Sequence, residues 1–309
     1  MSKPIEQQQL PGQPGLVISY FGNSVAVLAE NGQVIPCHLR RNQMLPVVGD
    51  HVIWQMAETG EGAIILEIKP RRSLLARGDQ HGKKQPLAAN VDKLVIVMAP
   101  PPIFSEYLLD RYLVAAELLH IAPVIVLNKV DLLDAHTQPL CEQRLAIYRR
   151  IPCPVVLTSA LRGEGLSALS ALLSGQLAVL VGPSGVGKSS IIMALGHEQA
   201  IKTGTVSDKG SGKHTTTATR LYQLPQDVSL IDSPGVREFN LWPVNQPELL
   251  QGFTEFSPFL NQCKFRDCQH YLEPGCGLQA AVAQGQVSPT RLASYHTLLK
   301  DIHTSSKKR

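Results

Sequence analysis

Four short runs in this 309-residue chain carry side chains suited to holding a nucleotide. Gly182, Pro183, Ser184, Gly185, Val186, Gly187, Lys188 and Ser189 fit the spacing Gly-x4-Gly-Lys-Ser, and Ser190 follows. Glycines let backbone N–H groups curl around phosphate oxygens, a lysine there neutralises the outer phosphates, and the Ser189 hydroxyl can ligate Mg2+. Asn128-Lys129-Val130-Asp131 supplies what guanine recognition needs. A carboxylate at 131 accepts from the N1–H and 2-amino groups, which adenine does not offer in that arrangement, so the pairing selects GTP over ATP. Asn128 and Lys129 would support the base and the neighbouring loop. Ser159-Ala160 can give a backbone N–H to the guanine O6. Asp232-Ser233-Pro234-Gly235 can hold Mg2+ through water at Asp232 and meet a γ-phosphate with the Gly235 N–H. Read singly, Ser-Ala and Asp-x-x-Gly are commonplace turns.

Each run follows a strand-like apolar segment, which is where ligands sit in open α/β sheets. Leu94 to Met98 is continuously apolar, as a strand buried on both faces must be. Val124–Leu127 ends at Asn128, Val155–Leu157 precedes Ser159, Leu177–Val181 ends at the phosphate loop, and Leu230-Ile231 ends at Asp232. Tyr107 to Leu119 has helical spacing. The order along the chain is unusual. The guanine-reading run precedes the phosphate loop, whereas in ordinary Ras-like GTPases the phosphate loop comes first. Cutting such a domain after Asp-x-x-Gly and joining its old ends gives the order seen here, a circular permutation. It also makes Asp-x-x-Gly lead through Arg237–Pro243 directly into the C-terminal stretch, so a change at the γ-phosphate could pull on that stretch.

Residues 202 to 220 are polar and Gly-rich, and read as a loop carrying His214-Thr215-Thr216-Thr217. Ras-like enzymes place Gln after Asp-x-x-Gly to orient the attacking water. Here Val236 stands there, so His214 is the candidate catalytic residue beside Lys188, and one of the threonines is a further Mg2+ ligand. Cys263-x4-Cys268-x-His270-x5-Cys276 is a Cys3His set suited to one structural Zn2+ with no open position.

Residues 16–75 alternate short strands with turns such as Asn31-Gly32 and Gly49-Asp50, which predicts a small β-barrel, either OB-like or SH3-like. Arg71, Arg72, Arg77, Lys83 and Lys84 follow, read either as a solvated linker or as a footprint for RNA phosphates. Hydrophobic content of 44% with 17% charged residues fits a folded protein, and a net charge of +4 permits a nucleic-acid partner without demanding one. Residues 1–15 are polar, and no apolar run is long enough to span a bilayer, so the expectation is a cytoplasmic, monomeric protein with no membrane partner.

Together these runs, with Asn90-Val91-Asp92, resemble the RsgA family of small ribosomal subunit biogenesis GTPases (also YjeQ or EngC) over nearly the whole chain. The chain departs from the family in a short N-terminal extension without a basic run, and in Lys213 where Arg is more usual. The resemblance implies an α/β circularly permuted P-loop GTPase domain with an N-terminal OB-fold and a C-terminal zinc-binding helical domain. It implies Zn2+ on Cys263, Cys268, His270 and Cys276, Mg2+ with GTP, and GTP hydrolysis to GDP stimulated by the 30S subunit. It further implies contact with rRNA and a late role in 30S maturation. The expected division is a flexible 1–15, a barrel at 16–75, a basic linker at 76–90, the GTPase unit at 91–240 and the zinc unit at 241–309. Two competitors stand beside this reading. One is an rRNA-binding assembly module in which GTP is mainly a structural ligand, and the other is a permuted GTPase of the large subunit.

Overall fold

Alternation along the strands decides which layers form. The computed structural model describes residues 12–21, 24–39, 44–57, 62–78, 84–100, 104–197, 219–232 and 244–306. Within 13–68, five strands follow in order: β1 (Gln13–Phe21), β2 (Ser24–Ala29), β3 (Val34–His38), β4 (His51–Met56) and β5 (Ala63–Ile68). They pair in the order β1-β2-β3-β5-β4, and β4 also pairs with β1, so the sheet closes. Closure removes the exposed edges, and a bulge between Val17 and Ser19 in β1 lets that strand bend to serve both neighbours. Every second residue points inward, packing Val17, Val27, Cys37, Val52, Trp54 and Ile65 together. This is the closed five-stranded form of an OB-like barrel.

Residues 76–90, expected as a linker, instead carry most of a hairpin, β6 (Leu74–Gly78) against β7 (Lys84–Ala89). The charges at 77, 83 and 84 draw attention from the apolar positions around them. Leu75, Ala88 and Ala89 are buried, and Leu75 and Ala88 join the same core as Val48 and Val91.

Beyond the hairpin lies the α/β sheet: β8 (Lys93–Met98), β9 (Ala122–Leu127), β10 (Val155–Leu157), β11 (Leu177–Val181), β12 (Arg220–Leu224) and β13 (Val228–Asp232). Its order is β10-β9-β8-β11-β13-β12, parallel except where β12 meets β13. Among the described residues, the strand pairing of Ser19 with Arg220 joins it to the barrel. Both faces are covered, which is why these strands are apolar throughout. Leu94, Ile96 and Met98 face α1 (Glu106–Leu118) and α2 (Thr137–Tyr148), while Val95 and Val97 face α3 (Leu166–Leu173) and α4 (Lys188–Ile192).

The C-terminal part holds α5 (Gln246–Gln251), α6 (Ser257–Leu260), α7 (Gly277–Ala283) and α8 (Pro289–Ser306). A capping box starts α5: Asn245 accepts from the Glu248 N–H while the Glu248 carboxylate accepts from the Asn245 N–H. Helix α8 packs on α1 through Arg291, whose Nη1 donates to Asp110 (2.6 Å) while Nε and Nη2 donate to Glu255 (2.6 and 3.0 Å). Its guanidinium lies 4.4 Å from the centre of the Phe253 ring. Burial pushes the Asp110 carboxyl up, and Arg291 pulls it back only in part.

Arg291→Met should therefore cost about 3–5 kcal/mol in denaturant unfolding at neutral pH, because Asp110 is left as an unpaired buried charge. The folded-state pKa of Asp110 would then lie still further above its unfolded value. Its protonated form carries no buried charge, so the deficit against wild type should shrink as pH falls and grow as pH rises above the wild-type folded pKa, levelling off above the variant's own. A deficit independent of pH would contradict this.

Candidate functional site

The sheet brings the predicted runs together at one end. Asn128 begins where β9 stops, and its N–H donates to Met98 O at the end of β8 (2.8 Å). Its side chain is almost fully buried and uses both ends. Nδ2 donates to Val186 O in the phosphate loop (2.9 Å). Oδ1 accepts from Thr158 Oγ1 (3.1 Å) and from the Ala160 N–H (3.1 Å). One carboxamide thus ties the guanine-reading, Ser-Ala and phosphate loops to each other. Lys129 follows with φ 62°, a left-handed turn that reverses the chain into Val130–Leu132. Ser159 donates its hydroxyl to Asp131, and the same hydroxyl accepts from the Arg162 N–H (3.1 Å). The Asp131 carboxylate is therefore held in place before any base arrives. The Ser159 N–H is occupied by Glu164 O (3.0 Å), which leaves the Ala160 N–H, shared with Asn128, as the one of this pair nearer to use by a ligand.

The phosphate loop joins β11 to α4. Gly182 has φ 140°, and a Cβ there would run into Val97 O; Gly187 has φ 94°, and a Cβ there would run into the Asn128 amide. Both glycines are required by close approach. Lys188 is buried, and its ammonium donates to Gly182 O (2.7 Å) and Pro183 O (2.6 Å), so the cation already sits inside the loop it is to serve. Ser184, Gly185, Ser189 and Ser190 are exposed, Pro183 and Gly187 half-buried and Val186 buried. Asp232 closes β13, which runs parallel to β11, so its half-buried carboxylate and the phosphate loop leave neighbouring strands. Anionic Asp232 helps burial to raise the Tyr222 phenol. His214, Thr215, Thr216, Thr217, Val236 and Gly235 lie outside the described residues.

The metal-ligating candidates also converge. Cys263, Cys268, His270 and Cys276 place their donor atoms within 4.8 Å of one another. The His270 Nδ1 lies 3.5 Å from both the Cys263 and Cys276 sulfurs, which are 4.0 Å apart. Tetrahedral zinc requires donor separations of about 3.5–3.8 Å; the two His270 contacts have that spacing and the sulfurs stand slightly wider, so the donor set suits zinc after a small contraction. Burial, helped by the neighbouring sulfurs, pushes the Cys268 thiol up to about 12, and burial lowers His270. A bound dication reverses the first effect, and a neutral imidazole is the form that ligates. Gln279 Nε2 donates to His270 O (2.8 Å), and His296 Nε2 donates to the same oxygen (3.0 Å), holding the ligand's turn at φ 66°.

Some residues do work that their types alone did not announce. Arg71, grouped above with a basic cluster, clasps buried Asp50 with Nε and Nη2, both at 2.8 Å, and belongs to the fold. Arg72 Nη1 donates to Asp92 (2.9 Å). Asn90-Val91-Asp92 is the junction between barrel and sheet. Asn90 Nδ2 donates to Gly49 O (2.8 Å), and Asp92 Oδ2 accepts from the Leu177 N–H at the start of β11 (2.9 Å). Thr158, adjacent to Ser159, was legible only as the residue after a strand.

Comparison with known proteins bears on the family and the fold. The model of the RsgA GTPase family matches residues 68–242. A small ribosomal subunit biogenesis GTPase RsgA of Pseudomonas fluorescens strain Pf-5 is 44% identical over 301 residues, covering 96% of this chain and 88% of that protein. The protein of the same name from Azotobacter vinelandii is 45% identical over 297 residues, covering 94% of this chain and 86% of that one. Among solved structures, YjeQ from Thermotoga maritima has a TM-score of 0.75 at 32% identity and covers 94% of this chain and 98% of its own. YloQ, described as a circularly permuted GTPase, has a TM-score of 0.74 at 28% identity, covering 98% and 99%.

Two outcomes follow from the geometry. Gly187→Ala should weaken GDP binding by at least about tenfold in a fluorescence titration, since the new methyl strains a left-handed residue and displaces Asn128. Binding within twofold of wild type would contradict the loop assembly described. Elemental analysis should find one zinc per chain, and His270→Ala should lose it together with the ordered near-UV signal of the surrounding aromatics. Retained order without zinc would show the cluster to be a set of unlinked thiols.

Proposed function

The chain belongs to the RsgA GTPase family and hydrolyses GTP, and from that premise we propose a ribosome-associated GTPase acting late in maturation of the small (30S) subunit, with that subunit and its rRNA as the stimulating partner. The names of the relatives support the partner, and the basic excess is compatible with it. The observation that carries the nucleotide reading is the Asn128 carboxamide, which holds three nucleotide-facing loops at once.

In this reading Asp131 accepts from guanine N1–H and the 2-amino group, and the Ala160 N–H donates to O6. Lys129 lies along the base, and Gly182 to Ser190 wrap the phosphates with backbone N–H groups. Lys188 turns its ammonium from the loop carbonyls to the β- and γ-phosphate oxygens, where it offsets charge as the terminal phosphoryl group leaves. Ser189 and Asp232 are the residues that would hold Mg2+, which when bound neutralises phosphate charge. The Gly235 N–H would meet the γ-phosphate.

His214 is proposed to orient the attacking water, since Val236 has no polar group to do so. Intrinsic turnover is then slow, and a partner that sets the 202–220 segment supplies activation. The four-ligand cluster holds a structural zinc and no reacting group. The barrel strands within 13–68 and the proposed zinc unit at 241–309 flank a catalytic unit proposed at 91–240. The protein is proposed to act as a cytoplasmic monomer.

GTP turnover should rise by an order of magnitude or more with purified 30S subunits and stay near basal with 50S. His214→Ala should abolish the rise while leaving GDP affinity intact. Tight GTP binding with no stimulation by 30S would overturn the proposal in favour of a module that uses GTP as a structural ligand.

A further inference from the structure

The Cys3His cluster takes no part in GTP chemistry, but its four ligands are unequally sheltered. Cys268, His270 and Cys276 are buried, whereas Cys263 is half-buried and within reach of a small solute. Its chain neighbours Lys264, Phe265 and Arg266 are exposed. The Cys276 sulfur stands 4.0 Å from that of Cys263, and the Gln279 N–H donates to it (3.5 Å), fixing its place there. The backbone allows a closer approach. The Lys264 N–H donates to Gly275 O (2.9 Å), so residues 263 and 276 are the next pair outward on two segments held side by side. Paired antiparallel segments keep opposed Cα atoms about 4.5–5.5 Å apart, which a disulfide can span. The other cysteines are built differently. Cys37, Cys141 and Cys153 are buried, and burial pushes the Cys37 and Cys153 thiols up to about 11.

We propose that Cys263 is a peroxide-sensitive modification site, and that its oxidation closes a disulfide with Cys276 that releases the metal. The Cys263 thiolate attacks hydrogen peroxide. An S–O bond forms, the O–O bond breaks, and hydroxide leaves with the electron pair. The Cys276 thiolate then attacks the Cys263 sulfenic acid, forming the S–S bond, breaking S–O and expelling a second hydroxide. The two sulfurs together lose two electrons, peroxide gains them, and two protons from solvent convert the hydroxides to water. Cys268 and His270 then remain as ligands, too few for a closed tetrahedral site. A thiol-reducing agent and fresh Zn2+ reverse the step, so it is a switch and not damage. This rests on the proposed reading of the cluster as a zinc site.

The test uses the full wild-type chain, with its zinc content measured first. Hydrogen peroxide is added beside a chromogenic zinc chelator, and the products are mapped by peptide mass spectrometry. Zinc release should run at least about tenfold faster than without peroxide, with one disulfide formed per zinc released. That disulfide should join Cys263 to Cys276, while Cys37, Cys141 and Cys153 stay reduced. A phosphine reductant with added Zn2+ should restore the metal and the near-UV signal of the surrounding aromatics. Release without a disulfide, a bridge through Cys268, or zinc retained under peroxide would overturn the proposal. A chain that holds no zinc, either as purified or after Zn2+ is added under reducing conditions, overturns the zinc reading beneath it, and that result is read before any oxidant is added.

Discussion

A buried carboxamide must satisfy a donor end and an acceptor end, and at Asn128 each end is satisfied by a different loop. That constraint fixes the geometry on which the rest of the nucleotide site depends. If Nδ2 is to meet Val186 O and Oδ1 is to meet Ala160 and Thr158, the loops leaving β9, β10 and β11 can take only one mutual arrangement. The strands deliver them to the same end because they run parallel, and the parallel sheet is possible because both faces are covered by apolar side chains. The glycine at 187 exists in this scheme to make room for the amide.

The flanking parts attach through charge pairs of low exposure rather than through apolar packing alone. Arg71 on Asp50 shapes the turn after the barrel's third strand, and Asn90 then carries that turn onto the hairpin and sheet. Arg291 on Asp110 and Glu255 sets α8 against α1. Such pairs are costly to break and tolerate few alternative partners, so they fix orientation more than they add stability. Asp92 is the place where attachment and site meet. It accepts from Arg72 on one side and from the first N–H of β11 on the other, and β11 ends in the phosphate loop.

Much of the site was legible because each nucleotide run is a local pattern at a strand end. The order Asn128, Ser159, Gly182, Asp232 was enough to propose a permuted sheet, and the cysteine spacing was enough to propose a Cys3His centre. The barrel was legible as alternation, but an OB-like and an SH3-like form could not be separated until β4 was seen to close on β1. What remained hidden depends on distant pairing. Asp110 and Arg291 are separated by most of the chain, and nothing near either residue announces the other. The β6–β7 hairpin was masked by its charges, since Leu75 and Ala88 look unremarkable beside Arg77 and Lys84. Thr158 carries no motif of its own, and its importance lies in the atom that it faces.

The most direct test of the central claim is hydrogen–deuterium exchange of Asn128→Ala without nucleotide. If one carboxamide holds the loops together, amides at 158–160 and at 182–188 should exchange faster together, while the barrel strands remain as in wild type. Faster exchange confined to 158–160, with the phosphate loop unchanged, would contradict the account.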